Sequence, residues 1–135
     1  TVATDFPKVF PINDRTVIGL SGLATDIQTV HQLMTMRANL YKLREERDIP
    51  PRAFAAMLSA ALYERRFGPW FVEPIVAGLE ADNKPFITGM DLIGCPIETD
   101  QFVVAGTCTN NLHGMCEALW KPDMVSARKE LCVCH

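Results

Sequence analysis

Residues 62–79, Leu-Tyr-Glu-Arg-Arg-Phe-Gly-Pro-Trp-Phe-Val-Glu-Pro-Ile-Val-Ala-Gly-Leu, constrain the fold most, because the hydrophobic period changes within them. Upstream, Phe54, Met57, Leu58, Ala61 and Leu62 follow the i, i+3, i+4, i+7, i+8 spacing of one buried helical stripe. Gly68-Pro69 is expected to stop that helix, since proline brings no N–H for the next turn and glycine permits the chain to leave. Glu73-Pro74 then leads into Ile75-Val76-Ala77, an apolar run that reads as a strand in a sheet buried on both faces. Helix, corner and buried strand in succession are the joint of a layered α/β domain.

The remaining segments agree with that layering. Val9-Phe10 and residues 16–20 are β-type runs around the turn signal Asn13-Asp14, which predicts a hairpin. A helix over residues 24–46 follows, with Thr25 or Asp26 as its expected N-terminal cap. Its apolar residues, among them Ile27, Val30, Met34, Met36, Leu40 and Leu43, cover more than one stripe and predict neighbours on two sides. Residues 42–48 are a mixed-charge, solvated helix end. Ile49-Pro50-Pro51 breaks the helix, Pro51 suits the first turn of the next, and so short a connector predicts an antiparallel helix pair. Strands are expected at 75–79 and 85–92 around the turn 81–84, and at 102–105, before a helix over 110–120 capped by Thr109 or Asn110.

At 135 residues the chain has room for one domain, and 48% hydrophobic against 21% charged residues suffices for a core. A net charge of −3 argues against nucleic acid and anionic membrane as partners. The longest apolar stretch, 54–62, is interrupted by Ser59 and falls far short of the roughly 20 residues of a membrane span. No signal-peptide pattern opens the chain. Five cysteines at irregular spacing, Cys95, Cys108, Cys116, Cys132 and Cys134, fit reduced thiols of a cytosolic or nuclear protein. The chain opens on Thr1 and stops where an α/β sheet would still need strands, so truncation at both ends is expected.

The run Arg66-Phe67-Gly68-Pro69-Trp70-Phe71, with Glu73-Pro74 and Ala77-Gly78-Leu79 behind it, resembles the beta-type subunits of the eukaryotic proteasome core particle, and among them the non-catalytic beta-type-3 group. Gly19-Leu20-Ser21-Gly22-Leu23-Ala24-Thr25-Asp26, Asp91-Leu92-Ile93-Gly94-Cys95-Pro96 and Phe102-Val103-Val104-Ala105-Gly106-Thr107 agree with it, and the likeness runs from about Val2 to Met124. The resemblance implies an α/β (α+β) fold, the four-layer αββα sandwich of the N-terminal-nucleophile hydrolases, here incomplete. Residues 1–124 would be a partial domain of this type and 125–135 a divergent tail. It also implies proteasome alpha and beta subunits as partners in a heteroheptameric beta ring, no cofactor, and residence in cytoplasm and nucleus.

Catalytic relatives use an N-terminal threonine whose own amine acts as base. The run Lys8-Val9-Phe10-Pro11-Ile12-Asn13 matches the one that carries their nucleophile-tuning lysine, but the strand that brings the nucleophile beside it has no counterpart here. If residues 1–8 are extended, seven steps of roughly 3.3 Å put Thr1 about 23 Å from Lys8, so Thr1 is expected to be a decoy. By the same resemblance Gly22 matches a glycine of the oxyanion hole, Leu20 and Ala24 match pocket-lining residues, and Thr107 stands where relatives carry a serine. Lys8, Gly22 and Thr107 are therefore expected to be vestigial.

In the beta-type-3 group, the segment matching Asp91 to Cys95 faces a neighbouring trypsin-like subunit, where the aspartate would favour basic substrate side chains. From the residues alone, a strand end with a solvated Asp91 and a packed Cys95 serves equally well. Cys132-Val133-Cys134-His135 suggests zinc, but one residue between paired cysteines is too few for the usual loop, and no metal site is expected. Cys108 or Cys116 with His113 would make a Cys-His pair without a third orienting group. The expected role is architectural and non-catalytic: holding ring neighbours in register and shaping a neighbour's pocket. The alternatives are an active threonine peptidase and a free-standing interaction module or non-assembling splice fragment.

Overall fold

A computed structural model describes residues 7–122 and 133–134. The predicted hairpin forms from β1 (Val9–Asn13) and β2 (Thr16–Gly22), with Ile18 opposite Phe10 and an irregularity between Pro11 and Asn13. Asn13 supports it twice. Its Oδ1 accepts the Arg15 N–H at 2.8 Å, and its amide donates to the Ile49 carbonyl at 3.1 Å, tying the turn to the connector between the helices.

Helix α1 (Ala24–Glu45) ends on Glu46, whose left-handed φ of 56° closes the last turn with an N–H to the Lys42 carbonyl. Neither expected cap operates at its start. The cap position falls on Leu23, which has no side-chain bond to offer, because Gly22 leads out of β2 with no residue to spare. Asp26 reaches across to the corner instead and accepts the Phe71 N–H at 2.9 Å, while the Leu23 N–H donates to the Phe71 carbonyl at 2.8 Å. Ile27, Val30, Met34 and Ala38 form the buried stripe of α1. The second stripe, Met36, Leu40 and Leu43, is exposed in this chain, so the expected burial on a second side is not seen among the described residues.

Helix α2 (Pro51–Glu64) has Pro51 in its first turn and buries Phe54, Ala55, Leu58, Ala61 and Leu62, the predicted face. An ion pair of 3.9 Å between Arg37 and Glu64 joins α1 to the last residue of α2, as antiparallel neighbours require. The helix stops short of Gly68. Arg65, Arg66 and Gly68 each donate to a carbonyl three residues back, so the last turn tightens and unwinds before proline is reached. Gly68 has an ordinary φ and open space where a Cβ would lie, so its lack of a side chain is not what turns the chain.

Beyond the corner, β3 (Val72–Leu79), β4 (Pro85–Met90) and β5 (Pro96–Glu98) extend the hairpin into one antiparallel sheet of order β1-β2-β3-β4-β5. Ile18 pairs with Val76 and Val76 with Thr88, which fixes the faces. Ile18, Leu20, Val72, Val76, Phe86 and Met90 point to α1 and α2 and make the main core with their buried stripes. Each such fully buried side chain contributes about 1.5–3 kcal/mol, so this helix-on-sheet layer dominates stability.

The opposite face is covered more thinly. Ile75 is fully buried there, and a Cβ on its partner Gly89 would lie 2.6 Å from Val103 Cγ1, so residues 102–106 cross this side. The strand expected at 102–105 shrinks to β6 (Ala105–Gly106), paired in parallel with β7 (Val133–Cys134). Helix α3 (Thr109–Leu119) follows, with no buried residue. Thr109 does not cap it; its hydroxyl donates back to the Gly106 carbonyl, and Cys108 occupies the cap position without a side-chain bond. The α+β expectation holds: the helix layer and one sheet are built, and β6–β7 lies on the side where a second sheet would stack. The tail expected at 125–135 lies outside the described residues except for the backbone of 133–134. Among the described residues no helix is long and apolar enough to cross a membrane.

Candidate functional site

Lys8 and Gly22 meet at one end of the β1–β2 ladder. The Lys8 carbonyl accepts the Leu20 N–H at 2.8 Å, and Gly22 lies two residues farther along, about 7 Å at strand spacing. Gly22 has a φ of 135°, and a Cβ there would fall inside the Phe71 carbonyl oxygen, so the position demands glycine for structural reasons. Leu20 departs from its expected place beside a pocket. It is fully buried under the helices, because its register opposite Pro74 puts it on the core face. Ala24 is exposed at the start of α1. Thr107 is exposed just after β6, its hydroxyl 3.9 Å from the Cys108 thiol. β6 lies against β2 and β3, on the face away from the helices. Thr1 lies outside the described residues.

The 91–95 loop is the more fully built feature. Asp91 Oδ1 accepts the N–H of Ile93 at 3.0 Å and of Cys95 at 2.8 Å, so the side chain folds its own loop, as Asx turns do. The backbone adds bonds from Asp91 N–H to the Cys95 carbonyl and from Gly94 N–H to the Asp91 carbonyl. Gly94 is buried with a φ of 85°, and a Cβ there would meet the Ser59 carbonyl oxygen. From the same residue of α2 the Ser59 hydroxyl donates to the Gly94 carbonyl at 2.5 Å. Asp91 and Cys95 remain exposed at the surface, so the expected packed cysteine is instead an accessible one.

Between this loop and α2 runs a cleft of about 550 Å³, lined by Ala56, Ser59, Ala60 and Tyr63 on one side and Ile93 and Pro96 on the other. At its far end Arg52 lies 4.8 Å from the centre of the Phe86 ring, 3.3 Å from Glu98 and 4.0 Å from Glu80. Such exposed pairs contribute at most about 1 kcal/mol each. The Thr88 hydroxyl donates to the Ile97 carbonyl at 3.0 Å and holds β5 against β4. The loop offers the exposed Asp91 carboxylate and the Cys95 thiol beside an apolar rim, which is chemistry for recognising a surface.

Other candidates are not brought together. His31 stacks on Phe10 at 4.0 Å and His113 leans on Phe102 at 5.1 Å, both as packed rings. Among the described residues no three His, Cys, Asp or Glu side chains gather as metal ligands, and neither Cys108 nor Cys116 is bonded to His113. Cys132, His135 and the Cys134 side chain lie outside the described residues. Sequence reasoning missed Ser59 as a partner of the loop. Its one signal was that it interrupts the apolar stretch of α2.

Comparison with known proteins places these features in a lineage. The proteasome subunit family model matches residues 1–130. The chain is 58% identical over 125 residues to proteasome subunit beta type-3 of Drosophila melanogaster, and 56% identical over 125 residues to its namesake in Dictyostelium discoideum. Against proteasome subunit beta type-3 of Oryza sativa subsp. japonica the identity is 56% over 124 residues. Each match covers 92% of this chain and 61% of the relative, so the chain spans about three-fifths of the length of these relatives.

Proposed function

The chain belongs to the proteasome subunit family, and from that premise we propose that it serves as a non-catalytic, structural subunit of the beta ring in the proteasome core particle. Its partners are the other alpha and beta subunits, its work is done in cytoplasm and nucleus, and it supports ubiquitin-dependent degradation by holding neighbours in register. The observation that carries this is the 58% identity to a beta type-3 subunit over 92% of the chain. The 91–95 loop supports a second task within the first. Asp91 and Cys95 line the substrate pocket of a neighbouring subunit, where the Asp91 charge favours substrates with basic side chains.

The direct test is co-expression of the tagged chain with the other core-particle subunits, followed by native sizing and subunit identification. Recovery in a particle of core size is the expected result; recovery solely as monomer or aggregate would overturn the ring assignment. Fluorogenic peptides incubated with the purified chain test the non-catalytic half. Turnover that disappears in Thr1→Ala would replace it with a threonine peptidase.

A further inference from the structure

We propose that Ser59 of α2 is a positioning residue for the 91–95 loop, acting as a latch that sets where the exposed Asp91 charge and the Cys95 thiol stand. The consequence for a neighbouring pocket rests on the function proposed above; the latch itself rests on geometry alone. Two side chains divide the work. Asp91 Oδ1 collects the Ile93 and Cys95 amides and so fixes the loop's internal shape. Among the described residues Oδ2 has no hydrogen-bond donor, which leaves the charge facing outward. Those bonds all lie within the loop and say nothing of where it sits on the molecule.

Its two ends are pinned by the β4–β5 ladder, where Met90 pairs with Pro96, so the freedom left to it is the approach of its tip to α2. Among the described residues the Ser59 hydroxyl makes the one hydrogen bond between this loop and the helix layer, at 2.5 Å to the Gly94 carbonyl. Gly94 comes so close that a Cβ would strike the Ser59 carbonyl oxygen, so the contact is backbone against backbone with a side-chain bond across it. Beside this point the helix presents Ala55, Ala56 and Ala60, small residues along the cleft whose side chains can make no hydrogen bond to the loop. Removing the hydroxyl lets the tip of the loop lift from α2 while its internal turn stays closed. Shape and charge are therefore separable by mutation.

Ser59→Ala, Ser59→Thr and Asp91→Asn test the division. In the purified chain, amide exchange of peptides spanning 92–95 and alkylation of Cys95 are followed by mass mapping, with the 51–64 helix as internal reference. Ser59→Ala is expected to raise the Cys95 alkylation rate about fivefold, the equivalent of one net hydrogen bond, while exchange of the 92–95 amides, which Asp91 holds, and of the reference helix stays unchanged. Ser59→Thr, which keeps a hydroxyl, restores the parent alkylation rate, and Asp91→Asn leaves it near the parent because its amide oxygen still accepts. An unchanged alkylation rate in Ser59→Ala, or no protection of the reference helix in the parent chain, overturns the latch. In core particles containing the chain, Ser59→Ala is expected to raise KM for cleavage after basic residues with kcat held, the mark of lost substrate binding. Asp91→Asn is expected to remove the basic preference without loosening the loop. A loosened loop with unaltered cleavage upholds the latch and overturns the pocket assignment; altered cleavage with an unloosened loop overturns the latch.

Discussion

Thr16 carries a hydroxyl into the helix-on-sheet layer, where it is 1% exposed and its oxygen has no hydrogen-bond partner among the described residues. An unmet buried polar group costs about 1–3 kcal/mol, and valine has the same shape without it. Thr16→Val is therefore expected to stabilise the chain by about 1 kcal/mol, read as a higher urea midpoint at unchanged slope; a lower midpoint would mean that the hydroxyl has a partner in solution. The residues that matter most for placement were not legible in this way. Asp26 and Phe71 are 45 positions apart and Ser59 and Gly94 are 35 apart, and no local pattern announces such a pair. Asp26 beside a helix start reads as a cap, which is the short-range use of the same carboxylate. The corner took it because the 70–72 backbone arrives with an unpaired N–H at that point. Asp91 and Cys95 were singled out by resemblance to a family, whereas the Ser59–Gly94 contact beside them needed coordinates.

Elements were legible where one periodic face meets the sheet, and less so where two faces compete. In α2 the stripe from Phe54 to Leu62 is buried as its spacing predicts. In α1 the pattern names two stripes without ranking them, and burial falls on Ile27, Val30, Met34 and Ala38 because they face the sheet. Element ends were misjudged for a related reason: Gly68-Pro69 marks where a helix cannot continue, while tightening of the preceding turn ended α2 at Glu64. Two leucines measure the difference between stripes. Leu62 is 1% exposed and Leu43 is 78% exposed. Leu62→Ala is expected to cost about 2–5 kcal/mol and Leu43→Ala to stay within about 0.5 kcal/mol, both from denaturant unfolding of the isolated chain. A large loss at Leu43 would show that its stripe is already covered, by a second copy for instance.

On the scale of the whole molecule, apolar side chains stand out on both sides of the sheet. Leu43, with Met36 and Leu40, lies on the helix side. Ile97, 66% exposed, lies on the other, since it pairs with Gly89 on the face away from the helices. Patches that stay exposed in a folded chain are contact surfaces or aggregation liabilities. Their arrangement decides what kind of association follows. One self-complementary patch would close into a dimer, whereas two different patches on opposite sides join head to tail and stop when a ring closes or a set partner intervenes. The ring role proposed above calls for the second arrangement, and Leu43 and Ile97 are exposed apolar side chains on opposite sides with which to test it. Alone, the chain is therefore expected to sediment as a concentration-dependent series of species, with no single dimer step. Leu43→Glu and Ile97→Lys should each shorten that series, and together leave the monomer, because each blocks one side of the contact. A sharp monomer–dimer equilibrium abolished by either substitution alone would point to one closed interface. A monomer at every concentration would mean that these side chains are too dispersed to act as surfaces, and ring contacts would then have to rest on the polar loops.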